Sequence, residues 1–398
     1  MSLTSADVYF DIYDRDLYAS PYPMFRRLRE EAPLYWNEEQ AFYAVSRYDD
    51  VSRVLGDRDA FSSAKGGVYQ IAVAGNEIPE GLFIFEDPPL HPIHRSLVSR
   101  LFTPRAISHI EPQIQALFET AAEALIGSER FDFVADFAHM LPIQVIGLLL
   151  GLPESDHRAL RDAFHHSQNE GTADTERDSL AGIAEAAVWF TEYLDFRAEH
   201  PTDDLMTQLL NTEFEDETGT ERQLRREELL TFLVLITGAG SDTTVNAISW
   251  AGSLLSDHPE QRKLLIDDPS LIPNAVEEVL RYESVSYHIA RTVVDDVELH
   301  GQTVPAGSLI LTLPGSANRD DRRVEDGDRF DITRKSGQIF TFSFGPHFCL
   351  GASLARLETR LAVEAVLGRF PEWTVDYDGA ALTGGIDTRG WERLPVEV

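Results

Sequence analysis

The 398-residue chain contains a single cysteine, Cys349, so its fold must hold together without an internal disulfide. Cys349 lies near the end of the segment Phe342-Ser-Phe-Gly-Pro-His-Phe-Cys-Leu-Gly351. A free cysteine is most often a small buried core residue. Here Gly345 and Gly351 permit a tight backbone path and the close approach of a large planar group, and they leave N–H groups free to point at the sulfur. The spacing favours a metal-ligand loop, with His347 as a second contact to the same cofactor.

The composition describes a strongly acidic chain, with 34 Lys and Arg residues against 67 Asp and Glu and a formal net charge of −33. Nucleic-acid phosphates require a basic surface, so nucleic acid is excluded as a partner, and anionic lipid is disfavoured. The plainest interpretation of such a surface is solubility. A lone thiol is typical of a reducing compartment, and we therefore expect a cytoplasmic protein.

The hydrophobic fraction of 43% is sufficient for a large core, and the sequence contains no linker, repeat or low-complexity tract, so we expect one domain over residues 1–398. Its most polar stretch, Glu213 to Glu228, indicates a surface turn before a helix. Met1 to Tyr18 lacks the pattern of a signal peptide or membrane anchor. The apolar run Leu229 to Ile236 is too short to span a bilayer, and no membrane association is expected.

Hydrophobic periodicity predicts a mainly α chain with small β-sheets. The predicted helices are Tyr22 to Glu31, Ala106 to Ile126, Pro142 to Leu150, Arg226 to Ser256 and Asn274 to Tyr282. The predicted strands are Pro33 to Trp36, Ala41 to Ser46, Tyr287 to Val294, Ser308 to Leu313 and Trp373 to Tyr377.

The long helix Arg226 to Ser256 contains Gly238-Ala-Gly-Ser-Asp-Thr-Thr244 at its centre. These are poor helix-interior residues, and each glycine costs about 1 kcal/mol relative to alanine. One interpretation is a packing notch or kink in which threonine hydroxyls bond back to the preceding turn. The other is a functional site in which these small and polar side chains face a ligand.

The Cys349 segment resembles the haem-binding loop of the cytochrome P450 superfamily, Phe-x-x-Gly-x-(Arg/His)-x-Cys-x-Gly, at every specified position. The resemblance implies the cytochrome P450 fold, with α-rich and β-rich lobes around a buried haem b. It makes Cys349 the axial thiolate ligand of the haem iron and places Phe342, His347 and Gly351 at the cofactor.

The centre of the long helix resembles the distal-helix motif of the same family, Ala-Gly-x-(Asp/Glu)-Thr-Thr. The match places Ala239 and Gly240 at the cofactor, with Gly240 making room for dioxygen. It makes Asp242 and Thr243 the catalytic acid and alcohol, because cleavage of the O–O bond needs protons delivered without flooding the site with water.

Three further residues resemble family positions at the haem edge. His91 and Arg95 lie four residues apart, on one face of a predicted helix, and Arg291 lies in a predicted strand. The resemblance directs all three at the haem propionates. The alternatives are a solvated basic turn for the pair and an ordinary exposed strand arginine for Arg291.

Glu278-Val-Leu-Arg281 resembles the family's Glu-x-x-Arg motif, and Arg329 resembles the arginine that completes its buried network. The resemblance gives Glu278, Arg281 and Arg329 a structural role. The alternative is an exposed ion pair of little energetic value. Gly327 lies near the position at which the family usually has a proline.

These motifs together imply a monooxygenase that uses O2 and two electrons to hydroxylate a hydrophobic small molecule, such as a terpenoid, steroid, fatty-acyl or polyketide-type compound. The substrate-pocket candidates, for which core packing is the alternative, are Val68, Tyr69, Ile71, Val73, Leu233, Thr237, Tyr287, His288, Ile289 and Ile386.

The chain has no flavin or iron–sulfur segment, so the expected electron donor is a separate ferredoxin with an NAD(P)H-dependent reductase, and the expected state is a monomer. A docking patch for the ferredoxin is predicted at Arg100, Arg105, Arg356 and Arg360. The alternatives are a haem-thiolate peroxygenase, which needs no redox partner, and a non-catalytic haem-binding or ligand-binding protein.

Overall fold

The computed structural model describes residues 8–165, 175–202, 204–335 and 337–398. They form two compact units. The strand-rich unit comprises Met1–Ile78, Glu277–Cys349 and Ile386–Arg389. The helix-rich unit comprises Pro79–Val276, Leu350–Gly385 and Gly390–Val398.

The α-helices of the described residues are α1 Arg15–Ala19, α2 Tyr22–Glu31, α3 Tyr48–Gly56, α4 Tyr69–Ala74, α5 Leu90–Ser99, α6 Pro104–Glu123, α7 Leu141–Leu150, α8 His157–His165, α9 Thr175–Glu199, α10 Leu205–Asn211, α11 Arg226–Asp257, α12 Pro259–Asp267, α13 Ile272–Tyr282, α14 Pro314–Ala317 and α15 Ala352–Leu367.

The strands are β1 Leu34–Asn37, β2 Phe42–Val45, β3 Phe61–Ser62, β4 Arg130–Asp132, β5 Glu213–Glu215, β6 Glu221–Gln223, β7 Ile289–Val293, β8 Val297–Leu299, β9 Gln302–Val304, β10 Leu309–Thr312, β11 Thr374–Val375, β12 Ala381–Leu382, β13 Trp391–Arg393 and β14 Pro395–Glu397. The prediction of a mainly α chain with small sheets is confirmed.

The strand-rich unit is built on a five-stranded sheet in the order β1-β2-β10-β7-β3. β10 pairs parallel with β2 and antiparallel with β7. α3 packs on this sheet because Val51, Val54 and Leu55 line one of its faces and join the sheet residues in one buried apolar cluster. The sheet therefore gives β7 a rigid position.

The helix-rich unit is organised around α11, which packs against α7 and α15. The helix begins where Arg225 donates its backbone N–H to the Glu228 carboxylate at 2.6 Å, a contact that satisfies a donor just before the first turn. α7 ends at Gly151, which has a φ of 70°, a left-handed conformation that glycine adopts without a steric penalty.

Two sequence-based expectations require correction. Glu213 to Glu228 is a β-hairpin followed by the first turn of α11, because Glu213–Glu215 and Glu221–Gln223 pair antiparallel. Among the described residues, Phe133–Leu150, rather than Leu229 to Ile236, is the stretch long and apolar enough to cross a membrane. It is 61% buried, and core helices of soluble proteins also pass this test, so it is weak evidence for a span.

Candidate functional site

The Cys349 loop lies in the strand-rich unit up to and including Cys349, and it is shaped by a 3-10 turn over Gly345–His347. The Cys349 backbone N–H donates to the Phe342 carbonyl at 2.8 Å, which closes the loop. The Cys349 side chain is exposed, whereas Phe342 is buried. The loop thus presents the thiol outward from its own backbone, as a ligand loop requires.

Glycine is required at position 345 because the loop packs closely against the end of α3 there. Its φ is 69°, and an added Cβ would lie 3.0 Å from both the Gly56 Cα and the Leu55 carbonyl oxygen at the end of α3. Any side chain would therefore meet backbone, which cannot move aside cheaply. At Gly351 an added Cβ would meet no protein atom within 4 Å, so this position borders open space.

Arg291 lies on β7 in the same unit and is only 3% exposed, which excludes the ordinary exposed strand arginine. Its Nη1 donates to the Ala290 carbonyl at 2.8 Å. His347, in the Cys349 loop, is partly exposed. The strand-rich unit thus carries Cys349, His347 and Arg291 of the predicted haem contacts.

The centre of α11, in the helix-rich unit, contains both features that its sequence suggested. The hydroxyls of Thr237, Ser241, Thr243 and Thr244 each donate to the carbonyl four residues earlier, at 2.7–3.0 Å. Ala239 is nevertheless exposed, in a helix that is otherwise largely buried. The hydroxyl back-bonding and an open helix face therefore coexist.

Gly240 has a packing role in this helix. An added Cβ would lie 2.9 Å from Cδ1 of Ile146 on α7, so glycine allows these two helices to approach. The close approach satisfies the packing-notch interpretation. The role in dioxygen binding that the family resemblance gives to Gly240 stays a prediction.

His91 and Arg95 lie on α5 in the helix-rich unit, with His91 3% exposed and Arg95 partly exposed. The burial of His91 excludes a solvated basic turn. His94, one turn along, is fully buried and bonds Glu86 through Nδ1 at 2.8 Å, so it ties α5 to the preceding segment. This pairing was not apparent in the sequence because Glu86 lies before α5, eight positions ahead of His94.

The Glu278–Arg281 pair is buried, with contacts of 2.7 Å from both Nε and Nη2 of Arg281 to the Glu278 carboxylate. The exposed-pair alternative is therefore wrong. Arg281 also donates to the carbonyls of Asn318, Gly327 and Arg329 at 2.7–3.0 Å.

The prediction for the Arg329 side chain is wrong. That side chain is 67% exposed and lies 3.6 Å from Asp331, and only the Arg329 carbonyl enters the network. Arg334 supplies the guanidinium, 3.3 Å from Glu278. Glycine is required at position 327 for a steric reason, because an added Cβ would lie 2.5 Å from the Arg319 carbonyl oxygen.

The pocket candidates differ in their surroundings. Tyr69 packs edge-on to Phe42 and donates its hydroxyl to the Gln40 carbonyl at 2.9 Å, which is a core role. Val73 is 52% exposed. The buried candidates are Leu233, Thr237, Tyr287, His288 and Ile386. The partly exposed candidates are Val68, Ile71 and Ile289.

His288 has polar neighbours that the sequence did not suggest. Its Nε2 lies 3.5 Å from Oδ1 of Asp387 and accepts the Tyr69 backbone N–H at 3.0 Å. Burial lowers the pKa of His288 to about 4 and raises that of Asp387 to about 7. The sequence did not indicate Asp387, because it lies 99 positions beyond His288.

Comparisons with known proteins agree on one family. Residues 125–379 match the family model Cytochrome P450. Cytochrome P450 123 of Mycobacterium tuberculosis is 39% identical over 98% of this chain and 97% of its own length. Vitamin D(3) 25-hydroxylase of Pseudonocardia autotrophica is 34% identical over 97% of this chain and 96% of its own length. The structure of a mutant of P450 EryK in complex with erythromycin B is similar with a TM-score of 0.86 and 32% identity, over 96% of each chain.

Proposed function

The chain belongs to the cytochrome P450 family of haem-iron monooxygenases, and on that premise we propose that it hydroxylates a hydrophobic small molecule. The balanced reaction is R–H + O2 + 2 electrons + 2 H⁺ giving R–OH + H2O. The observation that carries the proposal is the exposed thiol of Cys349 in a closed, glycine-dependent loop.

The residues of the chain fit a haem. The only thiol is exposed, Gly351 borders open space, and Ala239 opens a face of α11. Covalent c-type attachment needs two cysteines in Cys-x-x-Cys-His, and the chain has one cysteine, which supports non-covalent haem b. Cys349 would bind the iron, and His91, Arg95, Arg291 and His347 would neutralise the two haem carboxylates.

The haem, when bound, supplies oxygen activation, to which the thiolate contributes electron density. The side chains of the protein relay the protons from solvent. The Thr243 hydroxyl donates to the Ala239 carbonyl at 2.7 Å, so its oxygen lone pairs stay available to accept a proton-relay contact. Asp242 is partly exposed and would pass protons inward from solvent to Thr243.

Two electrons have to come from outside the chain. An iron–sulfur cluster normally needs four cysteine ligands, which one cysteine cannot supply. A ferredoxin served by an NAD(P)H-dependent reductase is the proposed donor. In the helix-rich unit Arg100 and Arg105 are exposed, Arg356 is partly exposed, and Arg360 forms ion pairs with Glu111 and Glu364. The proposed docking patch comprises Arg100, Arg105, Arg356 and Arg360.

The substrate class is proposed from the pocket candidates and from relatives. Most candidates are apolar, and the named ligands of relatives are bulky and hydrophobic, as in the complex of P450 EryK with erythromycin B. A polyketide, steroid or terpenoid is favoured over a small polar metabolite. We further propose a cytoplasmic monomer in which residues 1–398 act as one functional domain.

The test is a screen of such compounds for the low-to-high-spin shift of the haem, followed by turnover with ferredoxin, its reductase and ¹⁸O2. One ¹⁸O atom in the product is expected. Turnover supported by peroxide but not by ferredoxin would instead favour the peroxygenase, and binding without turnover under either condition would favour a sequestering protein.

A further inference from the structure

The carboxylate of Asp387 is held in place by backbone pairing inside the strand-rich unit. Its carbonyl accepts the Tyr287 N–H at 2.9 Å, and the Val285 carbonyl accepts the Arg389 N–H at 2.7 Å. The segment Ile386–Arg389 therefore runs as an extension beside Val285–Tyr287. The backbone from which the Asp387 side chain extends therefore has a fixed position, which favours specific binding.

The hydrogen-bond pattern fixes His288 as a neutral acceptor toward Asp387. Nε2 already accepts the Tyr69 backbone N–H at 3.0 Å, so it carries a lone pair and cannot donate to the carboxylate 3.5 Å away. The ring proton is therefore on Nδ1. When Asp387 is ionised, its contact with His288 consists of two facing acceptors and is not an ion pair.

Asp387 lacks a cationic partner among the described residues. The neighbouring Gln70 amide favours the ionised form of this carboxylate, while Oδ1 has no hydrogen-bond partner among the described residues. The neighbouring guanidinium of Arg389 is already bonded to Glu283 and to the carbonyls of Tyr18 and Ala19. Buried carboxylates are ordinarily paired, because removing an isolated charge from water is costly.

The Asp387 side chain is also partly accessible to solvent. It is 36% exposed, although Ile386 before it and Arg389 after it are buried. The Oε1 atom of Gln70 is a second buried acceptor without a hydrogen-bond partner in the described part of the chain. A partly accessible carboxylate thus lies beside two acceptor atoms, Oδ1 of Asp387 and Oε1 of Gln70, that receive no hydrogen bond from the described residues.

We propose that Asp387, assisted by Gln70, anchors a protonated amine of the substrate, so that the enzyme selects hydrophobic compounds that carry a basic nitrogen. The inference rests on the proposed monooxygenase function and specifies its substrate class. An ammonium N–H donates to the Asp387 carboxylate and supplies the missing positive charge, and His288 stays neutral beside it. The carboxylate positions the substrate and takes no part in oxygen chemistry.

The test measures equilibrium binding of three probes to the haem-loaded enzyme by calorimetry and by the haem spin shift. N,N-dimethyldodecylamine is a protonated amine, 1-dodecanol is a neutral donor and dodecanoate is an anion, all with one chain length. Direct ligation of the iron by the amine is recognised by its low-spin spectrum and scored separately. The variants are Asp387→Asn and Asp387→Ser, with Asp378→Asn at an exposed position as the matched control.

The wild type is expected to bind the amine most tightly, and Asp387→Asn should weaken that binding roughly 10- to 100-fold, because a hydrogen bond to a charged group is lost. The affinity for 1-dodecanol should change by less than about 3-fold, and Asp378→Asn should match the wild type.

Unchanged amine binding in both Asp387 variants, tighter binding of dodecanoate than of the amine, or no amine binding to the wild type would each overturn the proposal. A failure of the proposed function is distinguishable, because it appears as an absence of ferredoxin-supported turnover for every compound that shifts the haem spin state, whatever the order of the probe affinities.

Discussion

Asp387 and His288 have pKa shifts of opposite sign at one place in the strand-rich unit. Burial moves the His288 pKa from 6.5 down to about 4, so between these values the unfolded chain binds a proton that the folded one does not. Burial moves the Asp387 pKa from 3.8 up to about 7, so there the folded chain binds the extra proton. On acidification through this window His288 lowers the free energy of unfolding while Asp387 raises it, and the two effects offset each other.

Asp387→Asn should therefore make the protein more sensitive to acid. Without the stabilising proton uptake by Asp387, the free energy of unfolding should fall more steeply than in the wild type as the pH is lowered from about 6.5 to about 4. Urea unfolding of both proteins at several pH values measures the difference, in which the other titrating groups cancel. Parallel pH profiles would show that Asp387 does not carry this proton in the folded state.

Thr243 allows a test of proton delivery on a single hydroxyl. Thr243→Ala should leave NAD(P)H consumption largely intact but divert electrons to hydrogen peroxide, with product per NAD(P)H falling roughly tenfold or more. Ser241→Ala is the matched control, because its hydroxyl makes the same back-bond, to Thr237 at 2.7 Å, but is buried. Equal coupling in the two variants would remove Thr243 from the proton path.

Single residues were predictable from the sequence where a motif fixes their spacing, as for Glu278 and Arg281, which form the expected buried pair. Arg329 shows the limit. Arg329 and Arg334 lie five residues apart in irregular chain, and the turn geometry decides which guanidinium reaches Glu278. No local sequence pattern marked Asp387, because its surroundings are formed by residues that are distant in the sequence.

At the scale of elements, long periodic segments were predicted within a few residues. α2 spans the predicted residues, and α11 extends to Asp257 instead of Ser256. The hairpin of β5 and β6 was not predicted, because its charged strands are largely exposed and lack an apolar alternation. Helix periodicity and capping are local properties, whereas strand pairing depends on the partner.

The buried network that holds α13 makes a prediction at this scale. Glu278→Ala should lower the free energy of unfolding by about 3–5 kcal/mol, because it leaves the Arg281 guanidinium buried without its carboxylate. Arg329→Ala removes a side chain that is 67% exposed and should change stability by no more than about 0.5 kcal/mol. Urea unfolding gives both values. A large loss in Arg329→Ala would restore Arg329 to the network.

For the whole molecule, the net charge of −33 makes association with an acidic ferredoxin unfavourable unless local positive charge guides it. Arg356→Glu in the proposed docking patch should slow reduction by ferredoxin several-fold or more at low ionic strength, with the difference shrinking as salt is added. Haem content should be unchanged.

Arg369→Glu is the matched control for this patch. It lies just beyond the other end of α15 and already faces Glu123 at 3.1 Å. Stopped-flow reduction of both variants under carbon monoxide measures the rates. If Arg356→Glu is reduced as fast as Arg369→Glu, ferredoxin docks elsewhere.

The central claim is that Cys349 binds the haem iron as a thiolate. The most direct measurement is the absorption spectrum of the reduced, carbon-monoxide-treated protein, with Cys349→Ser as the comparison. The chain has no other thiol, so a strongly red-shifted Soret band in the wild type and its loss in the variant would assign the ligand to Cys349. A wild-type protein that binds haem without that band would contradict the account.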